Sequence, residues 1–132
     1  MDNALKEIMT ALAEIQGVEE VLPAGSRFTC DPPVMGTDID FALLVHDFGP
    51  VALLKAVGYA TPDVLGNGKD YDEENPQHFM TMRKGSINLI IMTKPRFRLF
   101  EAATIISKHL NLLEKEDRVF VFSTLRNKLL AR

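Results

Sequence analysis

Two aspartates separated by a single residue, Asp38 and Asp40, stand at the mouth of an apolar run that ends at Val45. Side chains on an extended strand alternate between faces, so these two point the same way. Their Cα atoms lie two rises apart, about 6.6 Å, which lets oxygens from both converge on one divalent cation. Upstream is the small-residue turn Pro23-Ala24-Gly25-Ser26-Arg27. Glycine allows close backbone approach to a ligand, serine offers a hydroxyl and an N–H to phosphate oxygens, and the arginine fork suits a phosphate. Transfer of a phosphate-bearing group needs little more from a protein than positioning and charge neutralisation, and these residue types supply both. The plainer alternative is an unrelated α+β domain in which Asp38 and Asp40 cap a solvated loop.

Other groups in the chain have types that could do chemistry. Lys94, Arg96 and Arg98 crowd a helix start, where each cation opposes the helix dipole at a cost of about 0.3–1 kcal/mol. They suit a nearby anion, such as a triphosphate or an RNA acceptor, or a solvated basic turn paired with the acidic residues Asp70, Asp72, Glu73 and Glu74. Arg83-Lys84 at a hairpin tip reads in the same two ways, the second being charge that blocks a sheet edge from pairing. His46, His78 and His109 have no metal-ligand spacing, which argues against zinc. Cys30 is the single cysteine; it has no disulfide partner within the chain and no evident base to activate it. Six methionines, among them Met80, Met82 and Met92, serve as core filler.

The bulk properties narrow the classes. A length of 132 residues is that of a single domain, residues 1–132, and is enough for a core without disulfides or a structural metal. The net charge of −3 removes any global basic field for nucleic acid. No apolar stretch reaches about 18 residues and no basic-then-apolar leader is present, so neither a membrane span nor a signal peptide is expected. One cysteine fits a reducing cytoplasm.

The elements that must position these residues follow from periodicity. Residues 3–16 have helical spacing at Leu5, Ile8, Leu12 and Ile15, with Gly17 as a stop. A short strand over 20–24 leads to the Gly25-Ser26 turn, and 27–36 form a loop with one helical turn at its start. The run Ile39–Val45 is a central strand. A helix opens at Gly49-Pro50 and closes at Gly58, with Val51, Leu54 and Val57 facing the core. The polar stretch 59–77 is functional or mobile, or holds an edge strand near Val64-Leu65. Strands over 79–83 and 86–92 flank Lys84-Gly85 as a hairpin. A helix over 95–110 uses Phe97, Phe100, Ala103 or Thr104 and Ile105, with Asn111 as its cap. A final helix over 114–130 uses Phe122, Leu125 and Leu129, although Val119-Phe120-Val121-Phe122 also suits a strand. The order predicts an α+β (mixed α/β) domain of about four strands with helices packed on the sheet.

Gly25-Ser26-Arg27 followed by Thr37-Asp38-Ile39-Asp40 on a strand resembles the minimal nucleotidyltransferases of the DNA polymerase β-like superfamily. The order of elements matches over about residues 3–110, and the specific motifs occupy residues 23–45. Residues 83–118 also resemble small nucleotidyltransferases encoded by bacteriophages, which would place the protein in a host cytoplasm. The resemblance implies a Mg²⁺- or Mn²⁺-dependent enzyme that moves an NMP from an NTP to a hydroxyl on RNA, a small molecule or a protein. It implies that Asp38 and Asp40 hold metal and that Gly25, Ser26 and Arg27 hold the nucleotide. Two metal ions in such a site serve the attacking and leaving oxygens. The family's third carboxylate falls at Asn88, which is neutral and cannot act as a general base. The implied alternatives are an enzyme with two carboxylates, an acid lent by Asp70 or Asp72, and a catalytically impaired nucleotide-binding or protein-interaction module.

Overall fold

The computed structural model describes residues 3–35, 38–61 and 79–129. In chain order it contains α1 (Asn3–Ala13), β1 (Val18–Ala24), α2 (Ser26–Thr29), β2 (Ile39–Val45), α3 (Pro50–Ala56), β3 (Phe79–Lys84), β4 (Ile87–Met92), α4 (Lys94–His109) and α5 (Lys115–Leu129). The strands form one mixed sheet in the order β1-β2-β4-β3. β1 runs antiparallel to β2, β2 parallel to β4, and β3 antiparallel to β4.

The near-continuous apolar character of β2 and β4 has a direct cause: helices cover both faces of the sheet. On one face Ala42, Leu44, Ile90 and Met92 pack against Phe97, Phe100 and Ala103 of α4 and Phe122 of α5. The Phe100 and Phe122 rings meet edge-on with centroids 6.0 Å apart. On the other face Phe41, Leu43, Val45, Leu89 and Ile91 pack with Leu12 of α1 and Leu54 of α3. Each fully buried Leu, Ile, Val, Phe or Met side chain among these contributes about 1.5–3 kcal/mol, so β2 anchors two cores at once.

Several expectations need correction. The first helix ends at Ala13, three residues before the expected Gln16. The hairpin turn is Gly85-Ser86, because Lys84 still pairs with Ile87; Gly85 takes the positive φ of 59° that the tight turn requires. Val57 is exposed because the helix has already ended at Ala56, which takes the side chain out of phase. Ile105 is exposed because eight residues from Phe97 amount to a rotation about 80° off the buried stripe. Leu129 is exposed at the last residue of α5. The Val119–Phe122 run (119–122) is helical, with Phe122 inward and Phe120 in solvent. Asn111 follows the end of α4 with φ 49°, a capping conformation. Thr37, Val64-Leu65, the acidic residues 70–74 and His78 lie outside the described residues.

Candidate functional site

The register of the sheet assembles the site. Ala24 pairs with Asp40, Asp40 with Asn88, and Asn88 with Arg83, so one row crosses all four strands. Side-chain alternation puts Asp40 and Asn88 on the same face as Ala42, Leu44, Ile90 and Met92, at the end where β2 and β4 begin. Asp38 stands just ahead of β2, within reach of Arg83 on β3.

The Gly-Ser turn closes on this row. Gly25 has φ 78° and ψ 174°, and a Cβ there would collide with Asp40 Oδ2. Only glycine permits both the conformation and the approach. Ser26 then starts the single turn α2, as the sequence suggested. The Thr29 hydroxyl donates to the Gly25 carbonyl oxygen at 3.0 Å, so the turn is held from within. It is also braced from outside. Asn111 Nδ2 donates to the Asp31 carbonyl oxygen at 2.9 Å, and Asp31 N–H donates back to Asn111 Oδ1 at 2.8 Å. Arg118 donates to the carbonyls of Leu112 and Leu113 at 3.0 and 2.8 Å and approaches the buried Cys30 Sγ at 3.7 Å. Cys30 therefore packs against the α4–α5 turn.

The two carboxylates live in different surroundings. Burial pushes the Asp40 carboxyl up to about 6 from the ordinary 3.8. A hydrogen bond from Asn88 Nδ2, at 3.1 Å to Oδ1, opposes that rise, and the Asp38 charge adds to it. The Arg83 and Lys115 charges pull the other way. Asp38 is 39% exposed and is clamped by Arg83: Nη1 donates to Oδ1 at 3.2 Å and Nη2 to Oδ2 at 2.6 Å. Sequence offered Arg83 for an anion or for a sheet edge but did not pair it with Asp38, and it did not single out Lys115. Their signal lay in the register of β3 and in the packing of α5, neither of which is local.

Other residues named from sequence are placed elsewhere. Arg27 lines a mostly apolar cavity of about 620 Å³ with Leu5, Leu22, Phe28, Met35 and Ile105, whose walls do not include Asp38, Asp40 or Asn88. Lys84 donates to the Val57 carbonyl oxygen at 2.9 Å and stands over the Tyr59 ring. In the basic cluster, Arg98 bridges Glu20 at 2.6 Å and Glu101 at 3.2 Å, and Arg96 is buried. Among the described residues, the partners of Arg98 are thus on β1 and α4.

Asp38, Asp40 and the amide of Asn88 form an oxygen donor set of the kind Mg²⁺ prefers, once the Asn88 amide turns its oxygen inward. Two adjacent carboxylates, one raised chiefly by burial and further by its neighbour's charge, gain from a cation between them. Among the described residues no group of three or more Asp, Glu, His and Cys is placed to hold a metal.

No protein-family model matches this chain, and no curated protein sequence does. Among solved structures, the crystal structure of the conserved protein GrpB from Enterococcus faecalis is similar, with a TM-score of 0.50 and 18% identity. The likeness covers 94% of this chain and 87% of that one. The fold is nucleotidyltransferase-like. At that identity the likeness carries the fold alone, with no bearing on activity or on a bacteriophage source. No described helix is long and apolar enough to cross a membrane.

Proposed function

We propose that this protein binds an NTP with one Mg²⁺ (or Mn²⁺) ion and transfers an NMP to a hydroxyl acceptor. The observation that carries this reading is the contact of Gly25 with Asp40. It sets the Gly-Ser turn, suited to phosphate oxygens, directly against the Asp-x-Asp strand, suited to the metal that phosphates bring with them. Asp38 and Asp40 would hold the ion, with Asn88 turning its amide oxygen toward it. A bound ion would neutralise charge on the transferring phosphoryl group. Gly25 and Ser26 would orient the phosphates. Arg27, on the neighbouring cavity, would serve the nucleotide only at its periphery.

A second reading is favoured by Asn88, which hydrogen-bonds Asp40 where the family carries a carboxylate. An amide cannot take the acceptor's proton. In that reading the domain binds nucleotide or a protein partner without turnover. The separating experiment is transfer of label from labelled NTPs in the presence of Mg²⁺ or Mn²⁺. Labelled product from wild type and none from an Asp38→Ala/Asp40→Ala variant supports the enzyme. Equal labelling in both ends it. Nucleotide binding without product supports the second reading.

A further inference from the structure

We infer that Arg83 is an exchangeable counter-ion of the site, which occupies Asp38 in the free protein and moves to the nucleotide's phosphates when metal–NTP binds. The inference rests on the nucleotide-binding reading above and assigns a positioning role to a residue on β3, outside the Gly-Ser and Asp-x-Asp motifs.

Three observations carry it. First, Arg83 is placed by the sheet itself: it pairs with Asn88 in the row that contains Asp40, and its backbone N–H and carbonyl are fixed by hydrogen bonds of 2.8 Å to Ala60. The root of the side chain is thus fixed, while its guanidinium end lies at the surface. Second, the guanidinium takes both oxygens of Asp38, at 3.2 and 2.6 Å. With the fork on both oxygens, Asp38 keeps only its remaining lone pairs for a metal, so Arg83 competes with an ion for that carboxylate. Third, the pair is open to solvent, with the two side chains 43% and 39% exposed. Ion pairs so exposed are weak and are readily traded for a better partner.

The formal charges favour that trade. Asp38 and Asp40 bring two negative charges, which Arg83 and Lys115 balance, because Asn88 contributes none. A site of that charge has no call for two divalent ions, and it keeps a cation on hand. Once one ion settles between the carboxylates, Arg83 faces a triphosphate whose oxygens match its fork better than a lone carboxylate does. The arginine would then supply, from the protein, positive charge that a second ion would otherwise bring.

The test reads metal and nucleotide affinity separately. Mn²⁺ binding to the full chain, followed by electron paramagnetic resonance, is compared for wild type and Arg83→Gln. Binding of a non-hydrolysable NTP with Mg²⁺ is measured by calorimetry on the same proteins and on Arg83→Lys. The exchange predicts that Arg83→Gln binds Mn²⁺ alone about three- to tenfold more tightly and binds metal–NTP about tenfold more weakly. Arg83→Lys, with its charge but no fork, should fall between. A merely structural role would move both affinities in one direction, if at all. Unchanged or weaker Mn²⁺ binding in Arg83→Gln overturns the exchange and leaves the nucleotide-binding reading standing. Absence of both Mn²⁺ and NTP binding from all three proteins overturns both.

Discussion

The two aspartates of the site are neighbours in sequence and opposites in environment. Asp40 is drawn into the sheet, touched by Gly25, bonded to a neutral amide and raised to about 6. Asp38 stands in solvent and is matched by an arginine. A carboxylate whose surroundings disfavour its charge lowers the stability of the free fold but is ready for a cation. One already paired costs the fold little and must be released first. The division suggests that Asp40 is the fixed ligand of the site and Asp38 the adjustable one.

The sharpest way to break this contrast is at Gly25. Gly25→Val forces a side chain into a positive-φ position and against Asp40 Oδ2, and should destabilise by about 3–5 kcal/mol in denaturant unfolding. Val in place of Gly at solvent-facing Gly85, where nothing lies within 4 Å of the added Cβ, should show only the φ strain.

The next effect concerns Asp40 and pH. Its carboxyl binds a proton more tightly folded than unfolded, so between about pH 4 and pH 7 the folded state holds the extra proton. Stability should therefore be fully present below about pH 4 and fall as pH rises through about 6. About two pH units at 1.36 kcal/mol each set a ceiling near 3 kcal/mol. Asp40→Asn should flatten this dependence and be more stable than wild type above pH 7 by about 1–3 kcal/mol, seen in urea midpoints across pH. It should lose Mg²⁺ binding at the same time, a trade of function for stability.

Asn88→Asp should act in the opposite sense. A third carboxylate beside Asp40 adds like charge, which should destabilise the metal-free protein by about 1–2 kcal/mol at pH 8. Saturating Mg²⁺ should restore it, giving a larger metal-induced rise in Tm than wild type has. The smallest effect belongs to the exposed pair: Asp38→Asn should change stability by less than about 1 kcal/mol, and by still less in high salt.

The contrast also marks what sequence could carry. Ile39–Val45 was legible with its bounds, because a run covered on both faces needs unbroken apolar residues. A common face for Asp38 and Asp40 was the expectation from strand alternation, and Asn88 as the matching position followed from the family resemblance; the register of β2 and β4 sets Asn88 against Asp40. The Arg83–Asp38 clamp was not legible. It depends on which residue of β3 lies opposite Asn88, across a separation of 45 residues, and on β3 lying at the sheet edge. Ile105 and Val57 were misplaced for a local reason: apolar type was read as burial without the rotation that each position carries. The Arg98–Glu20 bridge, spanning 78 residues, was hidden in the same way as Arg83.

The central claim is that Gly25, Asp38 and Asp40 make one metal–nucleotide site. Calorimetric titration of the full chain with a non-hydrolysable NTP, with and without Mg²⁺, tests it most directly, with Asp38→Ala/Asp40→Ala alongside. The account predicts one NTP per chain, bound only with Mg²⁺ and lost in the double variant. Binding that persists in the double variant, or none by the wild type with Mg²⁺ present, would contradict it.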